Sequence, residues 1–338
     1  MTGSASLNFE DDFVQIIDGK SATTKKTRHG VNPANLQAMA EVPVATQENL
    51  DDAVTAAKRA FKTWSKVPYE QRFSAVLAYA DALNELKTQF RALLVSEQGK
   101  PMAQADAETN AAIIWMQEMT KINLPEEVIE ETTERSIITR YTPLGVVAAI
   151  VPWNFPILLA MGKIAPALLT GNVIIVKPSP FTPYCALKLV ELAQKFFPPG
   201  VVQSLSGDDN LGPWLTSHPG IDKISFTGST ATGKAVMRSA SQTLKRVTLE
   251  LNALVQHIKK FTLGDGSKEG VSHGPLQNSM QYERVKTFFE DIESQGWKVA
   301  VGGKIPNSAG YFITPTVIDR PPEKSRIVVE EPFGMWIF

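Results

Sequence analysis

Apolar positions recur at helical spacing over residues 47–64, where Leu50, Val54, Ala57, Phe61 and Trp64 share one face, and the rhythm continues over 70–97. Packed helices are expected there. Ahead of them, short alternating stretches around 14–18 and 39–44 read as strands, with Asp18-Gly19 and Asn32-Pro33 marking turns. From Tyr141 onward the pattern changes to short β-branched runs separated by longer amphipathic ones, the mark of βα units that feed a parallel sheet. Strands are expected at 146–151, 173–176, 201–205, 223–226 and 246–251, and helices at 157–169, 183–196, 211–218 and 230–241. Connections this short suit a doubly wound α/β sheet, which gathers ligands at the carboxyl ends of its strands. Beyond Phe261 the chain is richer in Gly and Pro, with a helix expected over 280–294 and strands over 298–301 and 311–318. The expected division is therefore residues 1–251, holding N-terminal strands, helices and the parallel sheet, and 252–338, part of a second domain.

Composition narrows the class of partner. A chain of 338 residues with 43% hydrophobic and 20% charged residues can bury two cores. A formal net charge of -1 argues against nucleic acid or an anionic membrane as partner, since either favours a basic excess. The first fifteen residues hold Glu10, Asp11 and Asp12 and no apolar signal core, and no later run approaches a membrane span, so a cytoplasmic location is expected. Cys185 is the single cysteine, and the 4 histidines show no ligand spacing, so neither a disulfide nor a metal site is expected.

Three strand-to-helix junctions carry candidate chemistry. In Pro152-Trp153-Asn154-Phe155-Pro156 two prolines fix an irregular turn that could present the Asn154 amide to a developing oxyanion; a helix cap is the alternative use of that residue. Lys177, at the end of a parallel strand before Pro178-Ser179-Pro180, suits ribose hydroxyls or a phosphate, or is a surface lysine before a turn. Phe226-Thr227-Gly228-Ser229 runs into a helix whose free N–H groups and dipole could receive a phosphate. The stretch Gly228 to Lys234 also fits the start of a P-loop, which raises a nucleoside triphosphatase as rival; Ala235 stands where that motif needs a Mg²⁺-holding hydroxyl. Glu250, among the apolar residues of the fifth strand, is a candidate general base, because an apolar enclosure tends to raise a carboxyl pKa; a solvated edge-strand glutamate is the alternative. Cys185, between Tyr184 and Ala186 in a helix, reads as an inert core residue.

In this order and at these separations, the junctions resemble the NAD-dependent aldehyde dehydrogenase superfamily, beginning near Ile16. Asn32-Pro33-Ala34 is similar to that family's N-terminal hairpin motif and Thr142-Pro143-Leu144-Gly145-Val146 to its approach to the first sheet strand. The resemblance implies an aldehyde dehydrogenase-like fold, a Rossmann-like cofactor sheet with an incomplete catalytic domain, NAD or NADP as cofactor and a small aldehyde as substrate. It assigns Asn154 to the oxyanion hole and Glu250 to the general base. Cofactor contacts fall on Val151, Pro152, Trp153, Lys177, Ser179, Gly207, Phe226, Thr227, Gly228, Ser229 and Leu251, and on Glu331 and Phe333 of a later Glu-Pro-Phe-Gly motif. Pro180 stands where the family often has an acidic residue, which leaves NAD against NADP open.

Two departures matter. In the family a cysteine thiolate captures the aldehyde, hydride passes to the nicotinamide and the glutamate activates water. Here Leu251-Asn252 passes almost directly into Lys259-Lys260-Phe261-Thr262, where the family has a Gly-Gln-x-Cys nucleophile loop, and roughly 60 residues are expected to be missing by length comparison. The chain also ends at Phe338, ahead of the family's last catalytic segment and the C-terminal strand that supports oligomers, which makes oligomerisation doubtful. Three functional readings follow: a degenerate aldehyde dehydrogenase-like oxidoreductase with little activity, a non-catalytic NAD(P)-binding pseudoenzyme or interaction module, or a non-redox enzyme using Glu250 and Asn154.

Overall fold

A computed structural model describes residues 7–10, 13–122, 124–251, 262–318, 321–322, 324–330 and 336–337. The chain opens with a hairpin of β1 (Gln15–Ile17) and β2 (Lys20–Ala22), whose turn places Asp18 at φ 54° and Gly19 at φ 75°, the left-handed pair that a tight two-residue hairpin requires. A second hairpin joins β3 (Thr27–Val31) to β4 (Ala38–Pro43).

Four helices follow. Helix α1 (Gln47–Trp64) matches its predicted bounds, started by a capping box in which Thr46 and Asn49 exchange hydrogen bonds. The rhythm over 70–97 resolves into two helices, α2 (Tyr69–Glu85) and α3 (Lys87–Gln98), that meet at Leu86; α3 stops at Gly99, which holds φ 84°. Helix α4 (Met102–Met119) and the exposed hairpin of β5 (Glu127–Glu131) and β6 (Ser136–Thr139) went unpredicted.

The βα units then run in the expected order: β7 (Val146–Ile150), α5 (Pro156–Leu169), β8 (Val173–Lys177), α6 (Tyr184–Ala193), β9 (Val202–Ser204), α7 (Leu211–Ser217), β10 (Lys223–Gly228), α8 (Thr230–Ser241) and β11 (Arg246–Leu251). Among the described residues the main sheet has the order β11-β10-β7-β8-β9-β1-β2, parallel from β11 through β9 and antiparallel at β1 and β2. Strands β7 and β8 are buried at every position, as expected of strands covered by helices on both faces. From β7 the chain builds outward through β8 and β9, then returns to place β10 and β11 on the other side. The strand order thus reverses between β7 and β10, the position at which open α/β sheets take ligands at their carboxyl edge.

Helix α9 (Ser279–Gln295), β12 (Val299–Val301), β13 (Thr316–Ile318), the short α10 (Arg326–Val329) and β14 (Trp336–Ile337) complete the described chain. The strand expected over 311–318 is limited to its last three residues. Two apolar clusters are separate: a large one around the sheet and helices α1 to α8, and a small one in which Val285, Phe288 and Ile292 meet Ile313, Ile318 and Ile327. Among the described residues no helix is long and apolar enough to cross a membrane, and no group of three or more His, Cys, Asp or Glu side chains could hold a metal.

Candidate functional site

Strand register brings the predicted residues to one edge. Ile150 pairs with Lys177 on one side and Phe226 on the other, Thr227 pairs with Glu250, and Gly228 with Leu251. The turn that begins at Val151 leaves β7 beside the end of β10, so Val151 to Asn154 and Thr227 to Ser229 flank the reversal point. On the other side, the Leu205 N–H donates to the Val176 carbonyl (3.0 Å), which sets the segment leading to Gly207 beside Lys177. Glu331 and Phe333 lie outside the described residues, as does the stretch 252–261.

Lys177 ends β8 as a buried side chain, its Nζ donating to the Pro178 carbonyl at 3.2 Å. Burial pushes its pKa down to about 8; Asp209 and Asp208 oppose that shift and the Arg28 cation adds to it. Ser179 is buried and its Oγ accepts the Phe181 N–H at 3.2 Å. Arg28, on β3, donates to the Gly207 carbonyl at 3.4 Å, and its buried Nε has no hydrogen-bond partner. Ser229 caps α8, its Oγ accepting the Thr232 N–H at 3.3 Å, while Lys234 stands exposed on that helix. A side chain at Gly228 would meet the buried Phe226 ring at 2.6 Å, so the glycine is what lets the backbone pass there. An orphaned buried guanidinium nitrogen, a buried lysine and a helix N-terminus along one strand edge fit the polar groups of a dinucleotide.

Glu250 corrects one expectation. Its carboxylate is not enclosed by apolar neighbours: the side chain is 53% exposed, accepts the Thr227 hydroxyl at 2.8 Å and faces the Lys163 ammonium at 3.6 Å. Lys163 reaches this point from α5, buried at its own helix, and donates to the Thr227 hydroxyl at 2.7 Å. Burial lowers its pKa, and Glu250 opposes that shift. Sequence reasoning missed Lys163, although a single charge in Pro-Ile-Leu-Leu-Ala-Met-Gly-Lys-Ile-Ala-Pro-Ala-Leu-Leu was a usable signal.

Asn154 sits on the turn ahead of α5, with its Oδ1 accepting the Phe155 N–H at 3.1 Å. That turn is held from outside: Lys100 Nζ donates to the Asn154 carbonyl at 3.0 Å and lies 4.2 Å from the Phe155 ring centre. Glu108 takes the Ile157 and Leu158 N–H groups at 2.9 and 3.2 Å, capping α5, and its other oxygen pairs with Lys100. No local spacing could have announced this pair, because it forms only when α4 packs on α5.

Cys185 lies in the first turn of α6. It is fully buried in the large cluster, and burial pushes its thiol well above the usual range, with Glu97 adding to the shift.

The sequence profile of the Aldehyde dehydrogenase family matches residues 20–253 and 251–335, in two stretches that together span most of the chain. The chain belongs to the aldehyde dehydrogenase family. It is 40% identical to aldehyde dehydrogenase LUC3 of a Fusarium species over 369 residues, covering 95% of this chain and 79% of that protein. Its fold is similar to betaine aldehyde dehydrogenase from Staphylococcus aureus in complex with NAD+, with a TM-score of 0.91 and 28% identity over 96% of this chain and 77% of that one. An aldehyde dehydrogenase from Bacillus cereus, also an NAD+ complex, matches with a TM-score of 0.91 and 29% identity over 97% and 79%. The mixed α/β fold and the NAD(P) class of cofactor expected from the sequence are those of this aldehyde dehydrogenase family.

Proposed function

We propose that this aldehyde dehydrogenase family chain binds a nicotinamide dinucleotide at the carboxyl edge of its sheet but does not oxidise aldehydes through a cysteine of its own. The observation that carries this reading is Cys185: the single cysteine is fully buried, packed in the core and biased toward the thiol form. A nucleophilic cysteine needs an accessible, electropositive setting, and this one has a glutamate beside it. Two further observations support the reading. The family profile matches in two pieces that meet at residues 251–253, and the match to LUC3 extends over 369 residues although this chain has 338. Both are what a missing internal segment after Leu251 would produce.

In this reading residues 1–251 form the cofactor part and 252–338 a remnant of the catalytic part, the protein works in the cytoplasm, and the bound dinucleotide would supply a hydride acceptor. Lys177, Ser179 and the α8 N-terminus would hold its ribose and phosphates. Asn154 and Glu250 would face the nicotinamide end across the reversal point. Because losing a covalent step costs several orders of magnitude in rate, these two groups alone leave aldehyde oxidation negligible. Calorimetry with NAD and NADP tests the binding half: a folded chain that takes up neither would contradict it.

A second reading rests on Glu250, whose exposed carboxylate is held by Thr227 and Lys163 as a base would be. Acid–base chemistry on a carbonyl compound without redox would then be lost in Glu250→Gln while cofactor binding stays intact.

A further inference from the structure

Resting on the proposal that a dinucleotide binds, we infer that Lys100 is a positioning residue for its nicotinamide end, one that couples the docking of residues 262–278 to the turn bearing Asn154. Lys100 stands in Gly99-Lys100-Pro101, the junction between α3 and α4. Its backbone meets one part of the chain and its ammonium another.

Residues 266–277 lie on the backbone of this junction. The Met102 N–H donates to the Gly266 carbonyl at 3.0 Å, the Gln104 amide to the Ser272 carbonyl at 2.8 Å and the Gln277 amide to the Glu97 carbonyl at 3.1 Å. The approach is so close that a methyl group on Gly274 would stand 1.8 Å from the Gly99 carbonyl oxygen, and one on Gly266 2.5 Å from that of Lys100. Only glycine fits at these two points.

On the other side the buried Lys100 ammonium donates to the Asn154 carbonyl at 3.0 Å, pairs with Glu108 and lies over the Phe155 ring. A single residue therefore joins the contacts of 266–277 to the Asn154 turn. A buried ammonium with committed acceptors passes a shift of its own backbone to the carbonyl it holds, because losing either acceptor leaves part of the charge uncompensated. The start of the turn is pinned separately, by the Val151 N–H donating to the Lys177 carbonyl at 3.0 Å. A shift at Lys100 is thus directed to residues 153–156, while the end of β8, where ribose and phosphates would sit, keeps its register.

Coupling of this kind is reciprocal. In the full wild-type chain, hydrogen exchange over residues 262–278 is expected to slow when NAD is bound, or NADP if that binds more tightly, and to slow less with ADP-ribose, which carries no nicotinamide. Calorimetry reads the same link from the other end. Lys100→Met with Glu108→Gln removes the donor to Asn154 and keeps an acceptor at the start of α5. It is expected to weaken the dinucleotide about ten-fold, the worth of a charge-assisted hydrogen bond, and to leave ADP-ribose within about two-fold of wild type. Gly274→Ala, acting through the Gly99 carbonyl, is expected to reproduce that selective loss. It is a cleaner lever than Gln277, whose amide also reaches the Phe181 carbonyl at 2.8 Å. A purely structural role would weaken both ligands together. Equal losses for the dinucleotide and ADP-ribose, unchanged dinucleotide affinity in the double variant, or exchange slowed alike by both ligands overturns the inference and leaves the cofactor reading standing. A wild-type chain that binds none of NAD, NADP and ADP-ribose overturns both.

Discussion

Glu97 is a fully buried carboxyl group at the start of α6, accepting the Tyr184 and Cys185 N–H groups at 2.8 and 3.1 Å. Desolvation raises its pKa from 4.5 to about 7, against the hydrogen bonds from Cys185 and the two backbone N–H groups, with the Glu108 charge adding a little. The folded state therefore holds this proton more tightly than the unfolded chain. The contribution to stability is complete below pH 4.5, falls as pH rises toward 7, and is flat above it. Glu97→Gln should remove that slope, so that the stability difference between wild type and variant changes by up to roughly 3 kcal/mol between pH 4.5 and 8 in urea titrations. A parallel pH dependence in both proteins would contradict this account. At the same scale, Thr227→Val should cost about 1–3 kcal/mol in unfolding free energy, because it leaves the buried Lys163 ammonium with only the 3.6 Å contact to Glu250. Side chains that act through backbone position, such as Asn154, Lys177 and the Phe226 to Ser229 turn, were legible from strand ends alone. The surroundings of Glu250 were not, because Lys163 arrives from a helix 87 positions earlier in the chain.

Elements follow the same division. Helix α1 and the strand at 246–251 have their predicted bounds, since each has one apolar face and a clear start. Helix α4 was missed because its face is blurred: Ile114 and Trp115 are exposed beside the buried Ala112, Ile113 and Met116. The β5 and β6 hairpin was missed for a related reason. Val128, Ile129, Ile137 and Ile138 all reach solvent, so no alternation separates an inner face from an outer one. Helix α4 contributes something no pattern reveals, the Glu108 cap on α5. Glu108→Ala should destabilise the chain by about 3–5 kcal/mol, because it strands a buried Lys100 ammonium and two N–H groups. Lys100→Met with Glu108→Gln, which neutralises both partners and keeps an acceptor at the helix start, should cost less than Glu108→Ala alone in the same denaturant series. Equal losses would mean that charge pairing has no part in holding the Asn154 turn.

At the scale of the whole molecule, the parallel sheet of the aldehyde dehydrogenase family fold is in place, and its register sets Glu250, Thr227 and Lys177 at the carboxyl edge. Fold class and the order of the βα units could be read from the sequence because short connections leave few ways to thread a parallel sheet. The small second cluster was less legible: its strands are three residues or fewer, too short for a periodicity to declare itself. The central claim joins a platform that binds a dinucleotide to the loss of the thiol that would use it. The most direct test is reduction of nicotinamide nucleotide by the purified chain in the presence of aldehyde, at cofactor concentrations shown by calorimetry to saturate it. The account predicts saturable binding with no reduced nucleotide beyond the rate without protein. Sustained formation of reduced nucleotide that disappears in Cys185→Ala would contradict it, since the buried thiol would then be the working nucleophile.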